Sequence, residues 1–290
     1  MLARSALAPA LASFSWTGAN YGTGGAALRN RGTANVSVSG VTGAVKAAFI
    51  YWAVIDPNSL GQYISVQRQP TSCAGASCFI SGTGSAAITL LGTQIGSGPQ
   101  PCWTGSMIHV YRAAIPLNIA NGNGSYQVTI LNNAAGSTTG DDPWVAPPVL
   151  PLWEGASIVI VGTGTGTVNL FDSLAGTMFI PPFSYTLTLT APTTAGVLFD
   201  NIGADGQTGA GRAANAGTSG ETTTINGVAV AGPGSPYNDS DWNGSSGYPI
   251  PQLWDDTGHA FTPAATPTLS VAIGGASGDC LVLVANVVQF

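Results

Sequence analysis

A chain of 290 residues is long enough to bury a full core, as one large domain or two small ones. Charged residues make up only 7% of it against 44% hydrophobic, with 40 Gly and 19 Pro, which is the reverse of a disordered chain's balance. A net charge of −6 with seven Lys plus Arg excludes the clustered cations that nucleic acid requires.

The first twelve residues carry Arg4, then a short apolar run ending in a small-x-small pattern at Ala10 and Ala12. They read either as the remnant of a secretion signal or as a retained arm. Residues 1–20 are therefore assigned to an N-terminal arm, and 21–290 to a single large β-sandwich domain. The longest apolar run, 47–55, is about half the roughly 20 residues of a membrane-spanning helix, so no membrane span is expected.

Strand signals dominate the rest of the chain. Phe183, Tyr185, Leu187 and Leu189 alternate with hydroxyl residues, and Tyr126, Val128 and Ile130, Val168 with Leu170, and Leu269, Val271 and Ile273 repeat the period of two. A period of two places each set on one buried face of a half-wet strand. Three runs, 47–55, 156–161 and 281–288, are instead largely apolar on both faces, interrupted only by Ser157 and Asn286, and call for cover from long loops, a second domain or another subunit. Gly162-Thr-Gly-Thr-Gly166 reads as a hairpin loop between strands, because no helix comes after it to point its N-terminus at a phosphate. Asn-Gly at Asn121, Asn123, Asn226 and Asn243, and Asp-Gly at Asp205, supply turn chemistry. Residues 232–256 read as one long decorated loop. No stretch keeps a helical period, so the fold class is all-β, an antiparallel sandwich or jelly roll with long Gly/Ser/Asn-rich loops.

The four cysteines suggest two disulfides in an oxidising compartment, Cys73 with Cys78 across a short loop and Cys102 with Cys280. A zinc site is disfavoured, with only His109 and His259 available. His109 lies in an apolar stretch and reads as packed or interfacial; His259 is expected to bond Asp255 or Asp256.

Acidic residues gather late, at Asp239, Asp241, Asp255 and Asp256. Such oxygen density could hold calcium, the one cofactor the sequence suggests, although an Asx-rich loop capping its own backbone accounts for it more simply. A glycosidase pair can be drawn from the same carboxylates, but sequence gives neither their separation nor their pKa. No Gly-x-Ser-x-Gly elbow is present, so no enzyme is expected. Trp52 and Trp153 read as core, while Trp242 and Trp254, in polar surroundings, form the candidate glycan platform. Asn35, Asn123, Asn238 and Asn243 sit in glycosylation sequons.

Taken in order, Ala48-Phe-Ile-Tyr-Trp52, Cys102-Trp103, Asn121-Gly-Asn-Gly-Ser-Tyr126, Glu154-Gly-Ala-Ser-Ile158, Gly203-Ala-Asp-Gly206, Ser240-Asp-Trp-Asn-Gly244, Leu253-Trp-Asp-Asp256 and Asp279-Cys-Leu resemble a family. It comprises large secreted β-sandwich domains of unknown function in bacterial and archaeal surface proteins, often beside adhesin-like repeats. The resemblance implies an extracellular, cell-surface location.

The sequence is thus read as a structural subunit of an extracellular filament or surface assembly whose partner is a second copy of itself. Leu7, Leu11, Phe14 and Trp16 near the N-terminus, with Val287 and Phe290 at the C-terminus, would join subunits by strand addition. The alternatives are a calcium-dependent carbohydrate-binding adhesin, with glycans as partners, and a jelly-roll viral coat protein.

Overall fold

Side chains alternate across a strand, so a strand that is apolar on both faces must lie between two layers. The computed structural model describes residues 9–70, 84–100, 106–131, 136–141, 148–172, 178–179, 182–193, 196–207, 221–232, 241–242, 244, 252–275 and 280–290. Among them the strands are β1 (Ala10–Leu11), β2 (Phe14–Ala27), β3 (Thr33–Val38), β4 (Val45–Ile55), β5 (Tyr63–Arg68) and β6 (Ile88–Leu91). Next come β7 (Thr93–Gln100), β8 (Ser106–Ala114), β9 (Gly124–Ile130), β10 (Leu152–Asp172), β11 (Met178–Phe179) and β12 (Phe183–Thr188). The last are β13 (Val197–Gln207), β14 (Thr222–Ile225), β15 (Val228–Ala231), β16 (Gln252–Phe261), β17 (Thr268–Gly274) and β18 (Leu281–Gln289). One 3-10 turn, Leu60–Gln62, is the only helical element among the described residues.

The strands form three sheets. A four-stranded sheet runs β3-β9-β5-β6 and a five-stranded sheet runs β1-β12-β17-β14-β15. Between them lies a nine-stranded sheet, β16-β13-β18-β10-β4-β8-β7, with β2 also on β10 and β11 on β18. Apart from the short parallel pair of β1 and β12, every pairing between named strands is antiparallel.

The nine-stranded sheet folds over on itself, and β10 is where it does so. Residues Leu152 to Gly162 of β10 pair with β4, whereas Val168 to Asp172 pair with β18. Throughout, β2 stays alongside, with register shifts at Thr163, Gly166 and Thr167. The expected hairpin at Gly162–Gly166 is therefore corrected: the chain does not reverse there but continues as one strand through a bulge. The glycines are needed because backbone passes so close, a Cβ on Gly162 lying 2.4 Å from the Thr42 carbonyl oxygen and one on Gly164 lying 2.8 Å from Ala19.

Folding the sheet produces four layers and three cores. In the first, Val36, Ile64, Val66, Tyr126 and Val128 of the four-stranded sheet meet Ala48, Ile50, Trp52 and Val54 of β4 and Ala156, Ile158 and Ile160 of β10. The opposite face of β4, with Phe49, Tyr51, Ala53 and Ile55, joins Val159 and Val161 against Ile202, Trp254, Val282 and Val284. The third core sets Phe199, Leu281, Leu283 and Val288 under Phe183, Tyr185, Leu187, Leu269, Val271 and Ile273.

The all-β sandwich class thus holds, in four layers rather than two. The three doubly apolar runs find their cover inside the chain, since each lies in a middle layer with one face in each of two cores. The need for a companion subunit to finish their burial is removed.

The N-terminal segment also lies within the fold. Ala10 and Leu11 pair with Leu187 and Thr188, and Ser13 donates to the Leu170 carbonyl. Phe14 and Trp16 stack beside Phe49, with centroids 4.8 Å apart for Phe14 and Phe49, and Arg112 lies 4.6 Å over the Phe14 ring. Val287 is fully buried in the second core, and Phe290 packs on the third while exchanging backbone hydrogen bonds with Thr167. Of the expected interface residues only Leu11 is broadly exposed, at 75%, and Leu7 lies outside the described residues.

Candidate functional site between β2, β13 and β16

The predicted glycan platform is corrected first. Trp242 and Trp254 are fully buried, so neither offers a ring face to a sugar. Trp242 sits in the third core over Gly203, where a Cβ would lie 2.2 Å from its ring. Trp254 sits in the second core and donates its Nε1 hydrogen to Ser157 Oγ at 2.9 Å. Polar neighbours in sequence misled here because an acid-rich stretch expected to be loop is strand β16, which lies flat on β2 and β10.

The predicted calcium quartet is not brought together as one ligand set. Asp256 lies near Asp200 and Ser157, and Asp241 bonds His259 Nε2 and also acts on Asp200. Asp255 is fully buried, and Asp239 lies outside the described residues. No group of three or more His, Cys, Asp or Glu placed to hold a metal occurs among the described residues. His109 is a packed residue, its Nε2 2.9 Å from the Asp56 carbonyl. Asn35 and Asn123 are exposed; the Asn123 amide is engaged on both sides by the Val41 backbone, and Asn238 and Asn243 lie outside the described residues. Cys280 is buried and disulfide-bonded, and Cys73, Cys78 and Cys102, with the two expected pairings, lie outside the described residues.

The structure brings together a different set. Tyr21, Gly22 and Thr23 of β2, Ser39 and Gly40 after β3, Leu198 and Asp200 of β13, and Gly258, His259 and Ala260 of β16 line an open cavity of about 320 Å³. Sequence geometry explains the fit. Asp200 lies opposite Gly258 in the β13–β16 ladder, and a Cβ at Gly258 would come within 2.2 Å of Asp200 Oδ1, so only glycine leaves the carboxyl its place. On β2, Gly22 and Gly24 alternate because the backbone of β3 crosses there, with Ser39 and Ser37 carbonyls 2.0 Å from where a Cβ would be. That alternation was the one signal in the sequence for this strand.

Asp200 is almost wholly buried, and Thr23 Oγ1 donates to its Oδ2 at 3.4 Å, with a further bond from the Tyr21 hydroxyl. Burial pushes the Asp200 carboxyl above the usual range, against the lowering effect of those two hydroxyls. Asp256, two ladder positions away on β16, is pushed up to about 7, first by burial and then by Asp200. The Tyr21 hydroxyl is raised by burial and by Asp200 in turn. The floor is thus a carboxyl ringed by hydroxyls, and the rim carries apolar Leu198, 43% exposed, and exposed Ala260. A second depression of about 410 Å³ lies beside β12, β14 and β17; it is lined by Ser184, Thr222, Thr224 and apolar neighbours and holds no ionisable side chain.

No protein-family profile and no curated protein matches the chain. Among solved structures, a peptide-N(4)-(N-acetyl-β-D-glucosaminyl)asparagine amidase aligns at 13% identity over 93% of this chain and 96% of its own, with a TM-score of 0.28. A β-porphyranase of glycoside hydrolase family 86 from Bacteroides plebeius aligns at 13% over 88% and 38%, with a TM-score of 0.25. Tandem CBM51 modules of a family 98 glycoside hydrolase from Streptococcus pneumoniae align at 10% over 91% and 82%, with a TM-score of 0.23. Likeness this remote assigns neither a fold family nor an activity, and the reading of the site stands on its geometry.

Proposed function

We propose that the chain is an extracellular carbohydrate-binding module that takes its ligand in the cavity between β2, β13 and β16, without turning it over. The observation that supports this is the cavity's composition: Asp200, Tyr21, Thr23 and Ser39 offer acceptors and donors to hydroxyl groups, while Leu198 and Ala260 meet a ring's C–H face. A sugar is amphipathic in this manner. The secreted setting agrees with a charge-poor surface of hydroxyl and amide residues and with four cysteines.

Titration of the full chain with a panel of soluble oligosaccharides, by calorimetry, tests the reading. Binding by the wild type that weakens at least about tenfold in Thr23→Ala, whose lost hydrogen bonds are worth roughly a kcal/mol each, supports it. Binding unchanged in Thr23→Ala and in Leu198→Asp places any ligand elsewhere and overturns it. Release of reducing ends from the same oligosaccharides would refute the non-catalytic part.

A further inference from the structure

The charge around this cavity narrows what can enter it. Its ionisable lining residues are Tyr21, Asp200 and His259, and no lysine or arginine is among them. Other cations of the chain are engaged elsewhere, Arg29 with Glu154, Arg112 with Asp172, Lys46 with the Thr17 and Gly18 carbonyls, and Arg68 with the Asn123 carbonyl. His259 Nε2 is turned to Asp241. Two further carboxyls act on Asp200, Asp256 from β16 and Asp241 from the segment before it, while His259, shared with Asp241, acts on it in the opposite direction. Asp256 Oδ2 is shielded from solvent without a hydrogen-bond partner, and so is Oδ2 of the fully buried Asp241.

Carboxyls crowded in this way need a proton or a cation between them. Resting on the carbohydrate reading, we propose that the ligand is an oligomer of unacetylated amino sugar, whose ammonium group is received by Asp200 while neighbouring sugar hydroxyls meet Thr23 and Ser39. An ammonium fits better than a metal ion: it needs one carboxylate and a few oxygen acceptors, whereas a hard cation needs six or more oxygens, roughly, converging on a point. The Thr23 hydroxyl and the carboxylate provide the former, and no metal-holding group occurs among the described residues. The cavity volume of about 320 Å³ stands at the small end of ligand pockets, which suits a terminal or single internal sugar unit.

The test is calorimetric titration of the full chain at neutral pH with a glucosamine oligomer, its fully N-acetylated counterpart and a neutral glucose oligomer, each at low and high salt. Calcium chloride alone and an oligolysine peptide complete the panel. The glucosamine oligomer should bind at least about tenfold tighter than the acetylated one at low salt, and the preference should shrink at high salt. Asp200→Asn, which keeps the shape and one acceptor oxygen but removes the charge, should bring the two oligomers within about twofold of each other; Asp256→Asn should reduce the preference by a smaller factor, and circular dichroism verifies that both fold. Equal binding of acetylated and unacetylated oligomers leaves the carbohydrate reading standing and refutes the ammonium. Tighter binding of oligolysine than of glucosamine, or a calcium isotherm lost in Asp200→Asn, also refutes it. Absence of binding by every oligomer defeats the reading beneath it.

Discussion

Trp254 is seated where two adjacent strands both carry glycine, and Gly155→Ala tests whether that seat holds the folded-over sheet together. A Cβ built on Gly155 would lie 2.4 Å from Trp254 Cγ and Cδ2 and 2.8 Å from the Ala26 carbonyl oxygen. The ring cannot retreat along β2, because at Gly25 the same construction comes within 3.0 Å of Trp254 Nε1 and 2.8 Å of Ser157 Oγ. Relief requires the indole to shift and to give up its bond to Ser157. Overpacking costs about 1–3 kcal/mol and the lost hydrogen bond about 1 kcal/mol more, so Gly155→Ala should destabilise by about 2–4 kcal/mol. For a chain of this size that corresponds to a melting temperature lower by roughly 4–16 °C. Thermal unfolding followed by far-ultraviolet circular dichroism measures it. Adding Trp254→Phe, whose smaller ring frees the space, should cost less in the Gly155→Ala background than in the wild type. Unfolding of Gly155→Ala at the wild-type temperature, or strict additivity in that double-mutant cycle, would refute the packing argument.

Trp242→Ala empties a fully buried site in the third core, and should lower stability by about 3–5 kcal/mol in chemical denaturation without selectively abolishing glycan binding at temperatures where the variant stays folded. Glu154 is fully buried and its carboxyl is pushed from 4.5 to about 8 by burial, in spite of Arg29. The folded state therefore holds this proton more tightly than the unfolded one, so its contribution to stability is complete below about pH 4.5 and declines as pH rises to about 8. Relative to the wild type, Glu154→Gln should gain stability across that interval, by a few kcal/mol at most at about 1.4 kcal/mol per pH unit, and urea titrations at pH 5 and pH 8 read the difference. Finally, with the apolar runs covered internally, sedimentation of the full chain should be independent of concentration. Growth with concentration that Leu91→Lys abolishes would instead place an assembly contact at edge strand β6, where Leu91 and its partner Tyr63 are exposed.

Strands were legible wherever burial was one-sided or complete. β9, β12 and β17 show the alternation of a wet outer face, and β4 and β18 the largely apolar run of a middle layer, broken in β18 only by Asn286. The run itself implied cover, and only its source was misassigned, since nothing in a local pattern says whether the covering layer belongs to the same chain. β2 was missed because beyond Trp16 most of its positions are glycine, alanine and hydroxyl residues, with Tyr21 the one large core side chain: at Gly22 and Gly24 the neighbouring backbone approaches so closely that side chains have no room, which weakens the hydrophobic signal that identifies a strand. β13 and β16 were missed for a related reason, as each carries buried acids and turn-forming residues. Asp205 does adopt the positive φ its Asp-Gly context suggested, at 69°, but it does so in a bulge inside β13 and not at a chain reversal.

The site was illegible for the same geometrical cause. Asp255 and Asp256 are neighbours in sequence and were grouped with Asp241 as one cluster, yet a strand sends consecutive side chains to opposite faces. Asp256 goes to the side of Ser157 and Thr23, while Asp255 comes up against the position of Gly206, where a Cβ would lie 2.4 Å from its Oδ2. The residue that Asp256 meets is Asp200, more than fifty positions earlier, and the hydroxyls that hold Asp200 come from a strand near the N-terminus. A cavity whose walls are drawn from β2, β13 and β16 can exist only once the nine-stranded sheet has folded at β10 and laid β16 across β2. Changes at the glycines that permit that fold should therefore act on the cavity as well as on stability, and Gly155→Ala should weaken the ligand even though residue 155 is no part of its lining.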